Sequence, residues 1–332
     1  MLAALDIHKE VFQAAVLDDD TGEWHESRFK ASRDDLAAWA NQWRGQVTDV
    51  TVEATTGWRW VCQELQSLGF RMHLADPAQA RALRGRTRQA KTDRLDARWL
   101  VLLLAKRMLP EAWIPPAEIQ QLRDQTRLRL ALSQDRRRWA QRLHALLLHE
   151  GWPCQRARLL TDQGRRWIAA LELVPAARAQ VDRLLHVMDA IASEQEEVEV
   201  ELRRFAKGDT RCQTLMTIFG IGSLLAAHIL AEVGDVARFQ RAGQLVRAAG
   251  LDPTVVESAE TRRRGVLAKQ GSPELRWALV EAAQHGRSHN SPDHRLYTLT
   301  SKRVGTQRAV LTVARKVARR AYYKLRVLQM AA

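Results

Sequence analysis

LAALDI (residues 2–7), VFQAAVL (11–17), WHESRFKA (24–31) and VTDVTVEA (47–54) are the segments that decide how the first part of this chain folds. Each is short, and polar turn residues separate it from the next, which predicts strands. The first three read as an antiparallel meander. A helix is expected from about Asp34 to Trp43, a second from Trp58 to Leu68, a further strand at RMHLAD (71–76), and helices from about Pro77.

Three antiparallel strands followed by βαβ units that add parallel strands is the order of a ribonuclease H-like α/β fold. After Pro110 the strand pattern ends, and PEAWIPPAE (110–118) marks a linker or a sharp change of direction. The rest reads as helical. Between Ile119 and Glu150, Leu128, Leu132, Trp139, Leu143 and Leu146 form an apolar stripe beside a crowded basic face. Val181, Leu184, Met188, Ile191, Gln195, Val198, Leu202 and Phe205 alternate spacings of three and four, the heptad pattern of a coiled coil with one polar core position. The same pattern also suits an ordinary helix in a bundle. Further on, FGIG (219–222) lies between two apolar helical segments, either a helix-hairpin-helix that offers backbone N–H groups to phosphate or plain helix-turn-helix packing.

Composition narrows the partners. The chain has 332 residues, 52 Lys and Arg against 38 Asp and Glu, and a formal charge of +14. That surplus in a folded chain points to a polyanionic partner. Three widely separated cysteines, Cys62, Cys154 and Cys212, give neither a disulfide framework nor a zinc spacing, which fits a cytoplasmic setting. No apolar stretch has the length of a membrane span, so neither secretion nor membrane insertion is expected.

Four carboxylates stand out. Asp6 and Glu53 each end a strand that is otherwise apolar, and Asp93 and Asp96 in KTDRLDA (91–97) are three apart, on one face of a helix. Singly, each suits a cap or a surface position. Together they would repel one another unless a divalent cation held them, and with no His or Cys beside them the expected ion is Mg²⁺ or Mn²⁺, with two ions the usual device for in-line displacement at phosphorus.

The set LDIHK (5–9), VEATTGW (52–58), AKTDRLDA (90–97), FGIG, AAGLDP (248–253), Glu257–Ser258 and KQGSPELRWAL (269–279) resembles the insertion-sequence-110 family of transposases, DEDD recombinases with a RuvC-like N-terminal domain. The resemblance covers nearly the whole chain. It implies that Asp6, Glu53, Asp93 and Asp96 are the metal-binding catalytic acids and that Ser258 is a nucleophile. Family members usually carry glycine after that serine, where this chain has Ala259. Ser272 competes, although Gly-Ser-Pro before a helix reads as an N-cap. The resemblance also implies oligomers, a dimer or tetramer, that excise and insert a mobile element through a circular intermediate, guided by a structured noncoding (bridge) RNA that pairs with donor and target DNA.

The expected organisation is a RuvC-like catalytic domain at 1–110, a linker and all-α coiled-coil segment at 111–210, and a mainly helical C-terminal domain at 211–332. Nucleic acid should meet Arg84, Arg86, Arg88 and Lys91 beside the acidic helix, Arg262, Arg263 and Arg264 after Ser258, and Lys302, Arg303, Arg315, Lys316, Arg319 and Arg320 in the acid-free stretch from Ser301. Trp58 and Trp60, close to Glu53, could stack on bases or belong to the core. Two other readings share the carboxylates: a metal-dependent junction resolvase that uses water and not Ser258, and a non-enzymatic binding protein on the same fold.

Overall fold

The first strand ends up in the middle of the sheet. Strands β1 (Leu2–Ile7), β2 (Val11–Leu17) and β3 (Trp24–Lys30) form the antiparallel meander, and after helix α1 (Arg33–Trp43) strand β4 (Asp49–Glu53) returns to lie parallel to β1. Helix α2 (Trp58–Ser67) then leads to β5 (Arg71–Ala75), parallel to β4, so the order is β3-β2-β1-β4-β5. Helices α3 (Pro77–Leu83) and α4 (Asp93–Ala105) follow.

Side-chain alternation sends successive residues to opposite faces. Ala3, Leu5, Phe12, Ala14, Val16, Val50 and Val52 face α1 and α2, whose Leu36, Trp39, Val61 and Leu65 complete one core. Ala4, Ala15 and Leu17 face the other way and meet Ala97, Leu100, Val101 and Leu103 of α4. Alanines on that face let α4 come close to the sheet. Asp6 shares the parity of Ala4, and Glu53 is opposite in parity to Val52, so both carboxylates belong to the face that α4 covers.

The computed structural model describes residues 1–85, 92–153, 159–253, 256–258, 261–263 and 267–331, and of the strands at 256–258 and 261–263 only the backbone. The chain divides into two compact units, Met1–Ile114 and Pro115–Ala332, and the division falls within PEAWIPPAE.

Among the described residues the second unit is helical apart from one hairpin. Helix α5 (Ala117–His149), the short α6 (Asp162–Ala169) and α7 (Pro175–Gly208) come first. Then come α8 (Thr210–Met216), α9 (Ser223–Val233), α10 (Ala242–Ala248), strands β6 (Val256–Ser258) and β7 (Thr261–Arg263), and α11 (Pro273–Gln284), α12 (His294–Val304) and α13 (Thr306–Ala331). Helices α5 and α7 pair antiparallel within the chain: Arg129 binds Glu199 and Gln125 binds Glu201. The heptad stripe of α7 therefore has partners in its own unit. Val181, Met188 and Leu202 are buried, and Leu143, Leu147 and Ile168 join Val181 and Met188 in one cluster.

Helix α13 is acid-free, as the sequence shows, but not basic all round. Its Ala309, Val313, Val317, Ala321 and Leu325 are buried, so one face of the basic stretch is core. The Gly220 turn packs closely on α11: at φ +89°, a Cβ on Gly220 would lie 2.5 Å from the Ala282 carbonyl oxygen. Among the described residues no helix is long and apolar enough to cross a membrane.

Candidate active site

Register brings the first two acids together. Leu5 pairs with Val52 in the parallel β1–β4 ladder, and one step further along lie Asp6 and Glu53. Helix α4 supplies the other two. Thr92 caps it, its hydroxyl accepting from the Leu95 N–H, and Asp93 and Asp96 occupy the first turn, where the helix dipole favours negative charge. Each acid lies one turn before a buried apolar residue, Ala97 and Leu100, so the face that packs on the sheet also aims the carboxylates at β1 and β4.

All four acids line one cleft of about 790 Å³, together with His8, Lys9, Thr55, Thr56, Trp60, Arg81, Arg84 and Trp99. Burial pushes the Asp6 carboxyl above its ordinary range, with Asp93 and Asp96 adding repulsion and His8 only partly offsetting it. Glu53 is raised for the same reasons: burial first, then the charges of Asp6 and Asp96, against the pull of Arg81 and Arg84. A cation bound beside Asp6 and Glu53 would offset both the burial and the mutual repulsion.

His8 is the residue that reading the sequence missed. Its Nε2 is 3.3 Å from Asp6 Oδ2 and 3.3 Å from Asp93 Oδ1. Donor atoms of Asp6, His8 and Asp93 all lie within 4.8 Å of one another, a set that one divalent ion can share. The expectation that no nitrogen ligand stands beside the acids is thereby corrected: His8 follows Asp6 by two residues, just past the end of β1, and turns back onto the carboxylate. Asp96 is not part of this set. The Arg84 guanidinium, at the end of α3, holds its carboxylate and also donates to the Leu95 carbonyl at 2.9 Å.

The cleft walls are aromatic. Trp60 packs against Phe12 with Arg33 above its ring at 5.5 Å, and Trp99 lies beneath Arg84 at 5.7 Å. Trp58 packs on the apolar core instead and is not part of the cleft wall.

Ser258 ends β6, where its backbone pairs with Thr261 in β7, and Glu257 pairs with Arg262 and Val256 with Arg263. The serine thus stands in a short hairpin strand and not in an unpaired loop. Ala259, Arg264, Arg86, Arg88, Lys91 and Cys154 lie outside the described residues. Ser272 caps α11, its hydroxyl accepting from the Leu275 N–H and donating to Glu232 at 3.0 Å. Glu232 is buried and is gripped by both Nε and Nη2 of Arg127, at 3.1 and 3.0 Å. The arginines of α5 are therefore partly internal: Arg123 donates to the Ala231 and Glu232 carbonyls that α9 leaves open at its end.

The C-terminal cations divide. Lys302, Arg303, Lys316 and Arg319 are exposed. Arg315 donates to the Leu251 carbonyl at 2.7 Å, and Arg320 makes a two-pronged pair with the buried Asp293, which Lys316 also approaches to 3.3 Å. Arg315 and Arg320 thus hold the second unit together, which a run of charge in sequence does not reveal.

Two family models match the chain. The one described as the transposase IS116/IS110/IS902 family matches residues 212–298, and a DEDD transposase model of the IS110 group matches residues 3–151. "Putative transposase y4rJ" of Sinorhizobium fredii is 31% identical over 258 residues, covering 71% of this chain and 65% of that protein. A second protein of that organism, y4qE, is 29% identical over 59% of this chain and 48% of its own length. The chain thus spans about half to two thirds of these two relatives. "Transposase for insertion sequence element IS1111A" of Coxiella burnetii is 25% identical over 328 residues, 95% of this chain and 86% of that protein.

Proposed function

Because the chain belongs to the IS110 family of transposases, we propose that it cuts and rejoins DNA strands of a mobile insertion sequence. The observation that carries this reading is the convergence of Asp6, Glu53, Asp93 and Asp96, from two strands and a helix, in one cleft. The strand order β3-β2-β1-β4-β5 supports a ribonuclease H-like, RuvC-like frame for that cleft.

In this reading the site takes Mg²⁺ or Mn²⁺, with Asp6, His8 and Asp93 as the residues able to hold one ion and Glu53 and Asp96 beside them. When bound, the metal supplies positive charge to the phosphate oxygens and lowers the pKa of a coordinated hydroxyl. The chain's own residues do the rest. Carboxylates on rigid elements fix the position of the phosphodiester.

Ser258 is the proposed nucleophile. Its oxygen forms a bond to phosphorus as one strand's oxygen leaves and takes a proton. Attack by the hydroxyl of a new strand then restores a diester and returns the serine hydroxyl. The phosphoester retains the bond energy, so strands are exchanged with no net hydrolysis. The basic hairpin residues Arg262 and Arg263 and the exposed Lys302, Arg303, Lys316 and Arg319 suit phosphate contact, and a structured guide RNA and an oligomer, a dimer or tetramer, complete the proposal. Functionally it retains three segments, 1–110, 111–210 and 211–332.

Ser258→Ala tests the nucleophile. On a nicked DNA substrate the wild type should form a denaturation-resistant adduct that mass spectrometry places on Ser258, and the variant should form none. An adduct on Ser272 would move the nucleophile to that residue, and full recombination by Ser258→Ala with no adduct would overturn the assignment and return a resolvase that attacks with water to contention. Full recombination by protein freed of RNA would refute guidance.

A further inference from the structure

We propose that Arg84 is an internal counter-cation that competes with a divalent ion for Asp96, so that metal and polynucleotide bind to the first unit's cleft cooperatively. The inference rests on the reading that this cleft takes a divalent ion.

The acids in the cleft do not share a common environment. Asp6 and Asp93 meet at His8, whereas Asp96 is held by Arg84 and stands outside the three-residue donor set. The Arg84 guanidinium is fixed on three sides: one nitrogen on Asp96, another on the Leu95 carbonyl at 2.9 Å, and its plane over Trp99 at 5.7 Å. Both partners are about a quarter exposed, so the pair is open to the cleft and not sealed in a core.

A guanidinium and a divalent ion cannot both take the same carboxylate oxygen. Arg84 takes Asp96 Oδ1, so an ion can reach this carboxylate only through Oδ2 and against the guanidinium charge. A polynucleotide changes this balance, because a phosphate offers a guanidinium two oxygens in the same fork geometry as a carboxylate. Phosphate entering the cleft draws Arg84 from Asp96, and Asp96 becomes available to the ion. By linkage, the ion must strengthen polynucleotide binding by the same factor. The device keeps the metal site incomplete until a substrate is present, which suits an enzyme that must not cut DNA at random.

A purely structural Arg84 predicts the opposite sign. If the residue only ties α3 to α4, its removal loosens the cluster and weakens ion binding. If it competes, its removal strengthens ion binding.

The test is a Mn²⁺ titration of the full chain followed by the electron paramagnetic resonance of free Mn²⁺. It is run with and without a short single-stranded oligodeoxynucleotide and corrected for Mn²⁺ taken up by the DNA alone. Wild type should bind Mn²⁺ several-fold more tightly with DNA. Arg84→Gln should bind Mn²⁺ at least about threefold more tightly than wild type without DNA, and DNA should then add little. Equal or weaker Mn²⁺ binding by Arg84→Gln, or an unchanged DNA effect, overturns the inference.

A second measurement does not need that variant. In EDTA, Asp96→Asn frees Arg84, whereas Asp93→Asn removes the same charge without freeing it, so Asp96→Asn should bind the oligonucleotide at least about threefold more tightly than Asp93→Asn. Equal affinities overturn the inference. Should wild type bind Mn²⁺ no better than Asp6→Asn, the metal reading itself fails, and the inference with it.

Discussion

Gly220→Ala separates two meanings of the GIG turn. At Gly220 the backbone has φ +89°, which an L-residue resists at a cost of roughly 1–2 kcal/mol. The added Cβ would also lie 2.5 Å from the Ala282 carbonyl oxygen and 3.2 Å from the His285 Cβ, so α8 and α11 must separate, which costs about 1–3 kcal/mol more. The expected destabilisation is therefore about 3 kcal/mol, or roughly 6–12 °C in melting temperature for a unit of this size. Gly222→Ala is the control. Gly222 has φ −88°, and a methyl group added there would meet nothing within 4 Å, so only its weaker capping should register, less than about 1 kcal/mol. Thermal denaturation followed by circular dichroism measures both, and filter binding measures DNA affinity of each folded variant. A Gly220→Ala protein that melts within about 2 °C of wild type, yet binds DNA poorly, would refute the packing account and return the turn to phosphate binding.

Asp6→Asn should abolish strand exchange and Mn²⁺ binding while leaving the metal-free fold at least as stable, because burial and neighbouring acids already oppose the Asp6 charge; calorimetry of the metal-free proteins checks it, and a clear loss of stability would contradict the electrostatic reading. His8→Ala should weaken Mn²⁺ binding about tenfold, on the order of 1.4 kcal/mol, and should remove the ¹⁴N modulation from the pulsed electron paramagnetic resonance of the Mn²⁺-loaded protein, whose absence in wild type would exclude His8 as a ligand. His73 provides a pH dependence: burial opposes its charge, but hydrogen bonds at 2.8 Å to Asp49 and Glu111 outweigh this and hold its pKa above 6.5. Its contribution to stability is thus full below pH 6.5 and lost as pH rises through the raised value. The stability gap between wild type and His73→Asn, measured by urea denaturation, should shrink as pH rises from 6.5 through the raised value, and a gap that widens over that range would reverse the sign.

Most of the first unit is legible in the sequence because its physics is local. Alternation in LAALDI and VTDVTVEA assigns the acids to one face, and Asp93 and Asp96 declare a shared helix face by their spacing of three. Arg84 reads in sequence as a nucleic-acid contact, but its hold on Asp96 depends on where α3 ends relative to α4, which no spacing encodes. His8 is visible in LDIHK, yet nothing in a sequence shows that the chain turns back past a strand end. In the second unit, periodicity identifies the stripe of α7 but cannot say which helix covers it. Arg315 and Arg320 read as part of a basic face because their partners, the Leu251 carbonyl and Asp293, are remote in sequence or silent in pattern.

The central position of β1 has a consequence in time. In synthesis β2 follows Asp6 closely, whereas β4, its other neighbour in the sheet, and the helix that covers it come much later. Until β4 has docked, Glu53 has no place beside it, and until α4 has emerged two of the four acids do not exist. The nascent chain therefore holds a lone aspartate, then a pair, and acquires the full cluster only when most of the first unit can fold around it. Synthesis itself sets the order in which this cleft becomes competent.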